Sequence, residues 1–402
     1  MRQLGALRSL VVKVGTGLCM RDDGRLDGPT LLALAQQMAA LRQRGCRLVL
    51  VTSGAVGMGR AVLDEYAPVS LAEKQALAAV GQVAIMNAWQ NIFGLLDVRV
   101  AQVLLTRQDL ESHERFLNAR HVLSALQRRG ILPVVNENDS VATEEIKIGD
   151  NDNLASLVGN VVDADVVVNL TSTEGLWRGV PGAPGAEIVR EVHHIDEALE
   201  ALVHGSKTRH GTGGMMTKIQ AARIATGYGA HMAIVPGREP NVLLRLMDGE
   251  EIGTVFIPGQ RRVRGRRRWI AYGGKVAGTL RVDAGASEAV KRKGRSLLAA
   301  GIVDVQGRFE VGDLVRVEGP DGDKIGQGLA NYSSEQVARI KGLPTEQFEG
   351  VLGFKGHDEV VHRDHFVLEQ GSPQPTPPHL ERPAGQPVSI DLPRGQGPAL
   401  DA

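Results

Sequence analysis

The sequence is poor in cysteine and has no excess of charge of either sign. Only Cys19 and Cys46 occur among 402 residues, too few for a disulfide framework, and they fit a reducing compartment such as the cytosol. Lysine plus arginine (46) equal aspartate plus glutamate (46), so the whole chain projects no strong field toward nucleic acid or a membrane surface. These scarcities argue against a disulfide-rich secreted module and against a broadly basic nucleic-acid-binding protein.

Long apolar runs and targeting signals are also missing. No apolar stretch approaches the roughly 20 residues that a membrane-spanning helix needs. The N-terminal stretch MRQLGALRSLVVKVGTG is interrupted by Lys13 and has no small-residue cleavage pattern, so we predict no signal peptide. We therefore expect a soluble, cytoplasmic protein that does not bind a membrane.

The length of the chain and the order of its elements predict two domains. From residue 9 to about 257, apolar runs such as SLVVKV, CRLVLV and ILPVV alternate with turns and helical stretches. This pattern is typical of the α/β class, here a three-layer α/β/α sandwich with a mainly parallel sheet, and later β-like runs predict a small C-terminal β-rich barrel. The predicted divisions are a first domain over 1–257, a basic linker over 258–274, a second domain over 275–368 and a disordered Pro/Gly-rich tail over 369–402.

Two segments have apolar residues at helical spacing and a glycine where the helix should end. Residues 30–44 (TLLALAQQMAALRQR) are followed by Gly45, and residues 216–227 (MTKIQAARIATG) end on Gly227. Glycine often takes the left-handed conformation that closes a helix. We expect both segments to be crossover helices between strands, with these glycines as their C-caps.

Two loops that follow predicted strands are rich in glycine and small residues. VVKVGTG, residues 11–17, is a buried strand that carries Lys13 and is followed by glycines whose amides can approach an anion. VTSGAVGMGR, residues 51–60, places Ser53 at the start of a helix, which suits a carboxylate or phosphate. Taken singly, Lys13 could be an edge lysine at a tight turn and Ser53 a simple helix cap.

Two further loops carry most of the polar groups. NENDSVATEEIKIGDNDN, residues 136–153, directly follows the strand ILPVV, where open α/β sheets bind their ligands. Its side chains can donate to a substrate carboxylate, accept from an ammonium group or hold magnesium through water, and the spacing leaves these roles open. GTGGMMTK, residues 211–218, places glycines and Lys218 at a helix start as a phosphate cradle. The alternative for residues 136–153 is a solvated surface loop, and the alternative for residues 211–218 is a plain flexible linker.

The four loops together favour phosphoryl transfer. They supply several anion-binding elements and two lysines, whereas Ser-His-Asp spacing, CxxC, HExxH and GxxxxGK[ST] are all absent. Phosphoryl transfer mainly requires an aligned nucleophile and cations that offset the moving charge. A carboxylate nucleophile is already ionised at neutral pH and needs no general base.

The motifs also stand in a familiar order. VVKVGTG, VTSGAVGMG, PVVNENDSVAT, IKIGDNDNLASLVG and GTGGMMTKIQAA resemble the glutamate 5-kinase family of the amino acid kinase superfamily, and the resemblance runs from about residue 8 to 368. It implies an amino acid kinase domain followed by a PUA domain. It also implies ATP and Mg²⁺ as cosubstrates, with the metal held through the ATP phosphates, and L-glutamyl 5-phosphate as the product, in the first step of proline biosynthesis.

The resemblance assigns roles to residues of the matched motifs. It implies that Lys13 and Lys218 are catalytic, and that Ser53, Asp139 and Asn151 bind L-glutamate. The nucleotide-binding positions that it implies are Lys13, Thr171, Ser172, Thr212, Gly213, Gly214, Met215, Met216, Thr217 and Lys218, and the supporting positions are Asn138, Lys147, Asp150 and Asp152.

One segment departs from the family pattern. Where the family usually has LLTDxxGLYTxDP, this chain has NLTSTEGLWRGVPG, so that Ser172 replaces an aspartate and Trp177 a tyrosine. Met216 likewise stands where serine is common. We expect base or ribose contacts to differ, and the phosphate chemistry to be retained.

The resemblance also implies partners and leaves two alternatives. It implies proline as a feedback inhibitor at the glutamate site, a homo-oligomer and a handover to glutamate 5-semialdehyde dehydrogenase. The first alternative is another amino acid kinase, acting on acetylglutamate, aspartate, carbamate or a nucleoside monophosphate. The second is an RNA-binding PUA protein on an inactive kinase scaffold, for which Ser172 in place of the aspartate is the only support, since Lys13, Asp139, Asn151 and Lys218 all remain. The arginine run 261–268 beside Trp269 could favour nucleic acid, but RNA binding is not expected because the run is not spread along one face and the net charge is zero.

Overall fold

The computed structural model describes residues 4, 7–64, 70–141, 151–181, 183–197, 199, 214–259, 269–270, 275–354 and 356–369. Of the predicted divisions, most of the 258–274 linker and the 370–402 part of the tail lie outside the described residues. None of the helices within these ranges is both long and apolar enough to cross a bilayer.

Eight strands of the N-terminal part form one sheet. In spatial order, which runs β3-β4-β2-β1-β5-β9-β10-β8, every neighbouring pair is parallel except β9 and β10. The mainly parallel sheet expected from the sequence is therefore confirmed. The strands are β1 (Ser9–Val14), β2 (Arg47–Val51), β3 (Val100–Leu105), β4 (Leu132–Glu137), β5 (Val166–Thr171), β8 (Glu191–Val192), β9 (His231–Pro236) and β10 (Thr254–Phe256), while β6 (Trp177–Arg178) and β7 (Glu187–Ile188) form a separate two-stranded sheet.

Helices cover both faces of this sheet. Strand β1 is buried along its whole length because Val11 packs into the apolar core on one face and Leu10, Val12 and Val14 into the core on the other. Such two-sided burial explains the continuous apolar runs of the sequence. One face packs against α6 (His113–Arg128), α7 (Asn151–Val161) and α8 (Met215–Gly227), and the other against α2 (Gly28–Gln43), α4 (Leu71–Gly94) and α9 (Val242–Met247); the remaining helices of this part are α1 (Thr16–Cys19), α3 (Ala55–Leu63) and α5 (Arg107–Glu111).

The two helices expected from periodicity are α2 and α8. Asp27 caps α2 by accepting from the Thr30 N–H, and Gly45 beyond its end has a φ of +85°, as predicted. At α8 the predicted cap is wrong: Gly227 is the last helical residue, and Gly229 takes the left-handed conformation with a φ of +89°. Backbone bonding continues for two residues past the last helical one, because the Tyr228 N–H donates to the Ile224 carbonyl and the Gly229 N–H to the Thr226 carbonyl.

The C-terminal part is a separate small β-rich domain. Its sheet has the order β12-β11-β13-β14-β15, with β11 and β13 parallel and the other pairs antiparallel. Its own core includes Leu280, Val317, Tyr332 and Phe348. The elements are β11 (Val276–Val282), α10 (Ala284–Lys291), β12 (Ile302–Gly307), β13 (Leu314–Glu318), β14 (Lys324–Ala330), α11 (Ser334–Ile340), α12 (Phe348–Leu352) and β15 (Val361–Leu368).

Residues 269–270 join the two parts. The Trp269 side chain is buried, its indole N–H donates to the Leu110 carbonyl at 3.1 Å, and its ring packs against Phe116 with centroids 6.3 Å apart. The Ile270 carbonyl accepts from the side-chain amide of Gln327 in β14. The idea that Trp269 supports nucleic-acid binding beside the arginine run is therefore wrong, since a buried ring cannot stack on a base.

Candidate active site

The polar loops converge at one edge of the sheet. Strands β4, β2, β1 and β5 are adjacent and parallel, so their carboxyl ends meet there. Ser53 follows β2, Asn138 follows β4 and Ser172 follows β5. The first turns of α3, α7 and α8 reach the same edge, which brings helix N-termini and strand ends together as in other ligand sites of open α/β sheets.

Asp152, at the start of α7, binds two lysines at once. Its Oδ1 lies 2.5 Å from Lys13 Nζ, and its Oδ2 lies 3.0 Å from Lys218 Nζ. Asn169 Nδ2 donates to Oδ1 at 2.9 Å, and Thr217 Oγ1 donates to Oδ2 at 3.0 Å. The carboxylate and both lysines are buried, and donors from β1, β5 and α8 surround the carboxylate. One acidic side chain therefore fixes the positions of two cations from different elements.

Opposing influences act on the pKa of Asp152. Burial favours the neutral acid, but the charges and hydrogen bonds of Lys13 and Lys218 outweigh burial and hold the pKa far below its usual range. Asp152 is therefore ionised at neutral pH. The three groups together carry one net positive charge, which suits an anionic ligand.

Glycines give the backbone beside these lysines its shape. A Cβ on Gly15 would lie 3.4 Å from the Leu170 carbonyl oxygen and 3.5 Å from Lys13 Nζ, so glycine leaves the space beside the lysine open. Gly54 has a φ of +102°, which a larger residue would adopt only with strain, and it turns the chain from Ser53 into α3. Gly214 precedes α8 without a side-chain cap, so the first-turn amides of that helix are left for a ligand.

A second cluster consists of uncharged polar groups. Asn151 Nδ2 lies 2.9 Å from each of the Thr52 carbonyl, Ser53 Oγ and Asn136 Oδ1. Asn136 Nδ2 in turn donates to Gln82 Oε1 of α4 at 2.7 Å. Asn151 Oδ1 is buried and has no hydrogen-bond partner among the described residues. Since a buried acceptor without a partner is costly, this oxygen is expected to receive a donor from a ligand.

Asp139 lies in the short 3₁₀ turn Asp139–Val141 after β4. Its carboxyl group is half-buried, and burial raises its pKa to about 6. The Asn138 N–H just before it donates to the Leu105 carbonyl, which ties this turn to the end of β3. Ionisation of this carboxyl group is costly without a ligand, and a positively charged ligand group beside it would offset that cost.

The predicted nucleotide-side residues lie along β5 and the first turn of α8. Thr171 is the last residue of β5, and Ser172 is exposed, with its Oγ 3.8 Å from where a Cβ of Gly17 would be. Met215 and Met216 are half-buried at the start of α8. Trp177 pairs with Ile188 in the separate two-stranded sheet.

The structure brings together most, but not all, of the predicted set. Lys13, Ser53, Asn151, Asp152, Thr217 and Lys218 belong to the two clusters, and Asn138 and Asp139 lie at the same sheet edge. Lys147, Asp150, Thr212 and Gly213 fall outside the described residues. Within the described part of the chain, no group of three or more His, Cys, Asp and Glu side chains is placed to hold a metal.

Sequence reasoning missed Thr52, Gln82, Asn136 and Asn169. Asn136 and Asn169 are buried polar residues that directly follow apolar runs within their strands, a pattern that could have indicated them. Gln82 lies in the middle of α4, and nothing in the sequence marks it.

Comparisons with known proteins match most of the chain. The model of the amino acid kinase family matches residues 8–235, and that of the PUA domain matches residues 278–352. A glutamate 5-kinase from Trichlorobacter lovleyi is 45% identical over 367 residues, covering 91% of this chain and 98% of that protein. A glutamate 5-kinase from Moorella thermoacetica is 44% identical over 368 residues, covering 91% and 97%. One from Photobacterium profundum is 44% identical over 363 residues, covering 90% and 96%.

Among solved structures, a UMP kinase from Bacillus anthracis superposes with a TM-score of 0.46 at 14% identity, covering 62% of this chain and 96% of that one. A similarity of this size decides nothing about the substrate.

Proposed function

The chain belongs to the amino acid kinase family and, within it, to the glutamate 5-kinases, and from that premise we propose that it transfers the terminal phosphoryl group of MgATP to the side-chain carboxylate of L-glutamate. The products are L-glutamyl 5-phosphate and ADP. The reaction is the first step of proline biosynthesis.

The observation that carries the mechanism is the pair of lysines held by Asp152. During transfer, negative charge spreads over the oxygens of the moving phosphoryl group, and fixed cations that offset it lower the barrier. Lys13 comes from a strand and Lys218 from a helix start, so the two ammonium groups can contact different oxygens of the phosphates. Because Asp152 already orients both, little reorganisation is needed when the nucleotide binds.

The glutamate side chain needs no general base. A free glutamate carboxylate has a pKa near 4.3 and is ionised at neutral pH. The protein therefore has to align it and exclude water, and we assign this binding to Ser53, Asn151 and Asp139. In this proposal Asp139 accepts from the α-ammonium group, and Ser53 donates to a carboxylate through its hydroxyl hydrogen.

We assign the nucleotide to the side of the two lysines that lies away from the proposed glutamate-binding residues. The uncapped first turn of α8 and the glycines after β1 are groups that hold phosphate oxygens, so the residues present fit MgATP. Magnesium, brought by the nucleotide, would offset charge on those oxygens. Thr171, Ser172 and the segment from Gly214 to Lys218 would line the nucleotide side. We keep Thr212 and Gly213, which lie outside the described residues, as proposed nucleotide-binding positions.

Several wider assignments rest on the family. We retain proline as an inhibitor at the glutamate site, a homo-oligomer, a dehydrogenase that takes over the acyl phosphate, and a cytoplasmic location where ATP and glutamate are available. We also retain the predicted domain boundaries, with which the matched ranges 8–235 and 278–352 are compatible. A structural or regulatory role for the PUA domain is preferred over RNA binding.

The deciding experiment measures ADP release with MgATP and each of L-glutamate, L-aspartate, N-acetyl-L-glutamate and UMP. We expect turnover only with L-glutamate, and suppression by proline. Lys218→Ala should lower kcat by about 10²-fold or more, as expected when a charge-stabilising group is removed. Lys324→Ala, at an exposed lysine of β14, is the matched control and should leave kcat unchanged.

Other outcomes would change the assignment. Turnover with a different acceptor would place the chain among the other amino acid kinases. A folded protein without turnover on any acceptor would favour the inactive-scaffold alternative and make Ser172 the first residue to change to aspartate.

A further inference from the structure

A chain of three carboxamides links helix α4 to the residue assigned to substrate binding. Gln82 Oε1 accepts from Asn136 Nδ2 at 2.7 Å, and Asn136 Oδ1 accepts from Asn151 Nδ2 at 2.9 Å. Gln82 is half-buried, while Asn136 and Asn151 are buried. Neither Gln82 nor Asn136 has a part in the mechanism derived above.

The direction of this chain follows from one backbone group. The Thr52 carbonyl, 2.9 Å from the Asn151 side chain, can only accept, so the atom of Asn151 that faces it must be the amide nitrogen. The same nitrogen faces Asn136, which must therefore present its oxygen. That leaves the Asn136 nitrogen pointing at Gln82, whose oxygen must accept it.

The consequence appears at the far end of the chain. With its nitrogen turned to Thr52 and Asn136, Asn151 is left with Oδ1 as a buried acceptor to which no group in the described part of the chain donates. A flipped Asn151 would offer donors to the ligand in place of this acceptor, and a flipped Asn136 would set two nitrogen donors against each other. The orientation of all three groups thus decides whether the site offers an acceptor or a donor.

We propose that Gln82 and Asn136 are positioning residues that hold Asn151 Oδ1 as an acceptor for the α-ammonium group of the amino-acid substrate. The inference rests on the proposed function, because it takes L-glutamate as the ligand. Gln82 acts at a distance, through two hydrogen bonds, and touches neither substrate nor nucleotide.

A pair of substitutions at Gln82 separates this role from simple packing. Gln82→Met keeps the length of the side chain but removes the acceptor that fixes Asn136. Asn136 can then turn its nitrogen toward Asn151, where it competes with the Thr52 carbonyl for the orientation of the Asn151 amide. Gln82→Glu keeps an oxygen that accepts from Asn136. Steady-state kinetics with purified wild-type and variant proteins give kcat, KM for L-glutamate and KM for ATP, and competition with glutarate, which lacks the amino group, gives its Ki.

We expect Gln82→Met to raise KM for L-glutamate about tenfold, in line with the loss of a well-placed hydrogen bond to a charged group. The KM for ATP, kcat and the Ki of glutarate should stay within about twofold, since the nucleotide side and the carboxylate contacts are untouched. Gln82→Glu should restore KM for L-glutamate to within about threefold of the wild type.

Three results would overturn the inference: an unchanged KM for L-glutamate in Gln82→Met, a parallel rise of both KM values, or no rescue by Gln82→Glu. An equal rise in the Ki of glutarate would show that the ammonium group is not what is recognised. A wild-type protein without glutamate-dependent turnover would instead refute the proposed function, so the two failures are distinguishable.

Discussion

Asp139 is the residue whose ionisation should report most directly on ligand binding. Burial raises its pKa to about 6, compared with about 4 in an unfolded chain. Between these values the folded protein binds more protons than the unfolded one, so this group's contribution to the free energy of unfolding falls as pH rises from 4 to 6. Above pH 6 the empty site holds a carboxylate that burial disfavours.

Thermal unfolding of Asp139→Asn and of the wild type at several pH values tests this assignment. Without ligand, the variant should match the wild type near pH 4 and become a few degrees more stable above pH 6, because asparagine has no charge to bury. At pH 7.5, saturating L-glutamate should raise the melting temperature of the wild type more than that of the variant. A pH-independent difference, or equal stabilisation by L-glutamate, would contradict the assignment of Asp139 to the ammonium group.

Single residues also show where the sequence was informative. Lys13, Ser53, Asn151 and Lys218 could be predicted because each lies in a short local motif that follows a strand or opens a helix. Asp152 could be placed in the site, but its contact with both lysines could not, because β1 and α8 are brought together only by the sheet. Local sequence carries no information on such long-range pairs.

At the level of elements, helices α3 and α4 cross with their backbones in contact. A Cβ on Gly81 would lie 1.7 Å from the Ala55 carbonyl oxygen, and one on Gly59 would lie 1.9 Å from the Leu77 carbonyl oxygen. Real atoms do not approach so closely, so the crossing requires glycine on both helices. Since α3 begins directly after Ser53 and Gly54, this contact also sets the position of the substrate loop.

Gly81→Ala should therefore force the two helices apart. We expect a loss of about 1–3 kcal/mol or more in the free energy of unfolding, as for other overpacked contacts, and a rise in KM for L-glutamate. Gly94→Ala at the end of the same helix is the matched control, because nothing lies within 4 Å of its added Cβ. Chemical denaturation measures the free energy of unfolding of both variants. Similar values for the two would refute the close crossing.

Most elements could be predicted from hydrophobic pattern, and the exceptions have physical causes. The long β1, β2, β4 and β5 strands are apolar runs with turn residues after them. The two-residue strands β6 and β7 are too short to leave a hydrophobic pattern in the sequence. Only their hydrogen bonding to each other defines them as strands. The cap of α8 was misplaced by two residues because both Gly227 and Gly229 satisfy the sequence rule, and only the backbone decides between them.

For the whole molecule, the decisive feature is the core that the two domains share. Trp269 and Ile270 belong to one buried apolar cluster with Phe116 of the first domain and Leu314 and Leu329 of the second. The basic composition of the surrounding segment predicted an exposed linker, and the pattern of charge along the sequence could not reveal a buried anchor within it. The two domains should therefore unfold together.

Trp269→Ala should uncouple them. Truncating a buried tryptophan costs about 3–5 kcal/mol, and here the loss falls on the contact between domains. We expect calorimetry to show two separated unfolding transitions in the variant and one in the wild type. Trp177→Ala, in the separate two-stranded sheet, is the control and should lower stability without dividing the transition. A single transition in both variants would show that the shared core does not couple the domains.

The shared core also bears on how the chain folds during synthesis. A ribosome releases the N-terminal domain first, and domains generally begin to fold as they emerge. The apolar surface around Leu110 and Phe116 then lacks its cover until residues 269–270 appear, and the packing of Val367 in the same core comes only with the last strand. The nascent kinase domain thus keeps part of this apolar surface uncovered from residue 257 to Val367, about a quarter of the chain's synthesis, and a chaperone or a sister chain has its best chance to bind in this interval.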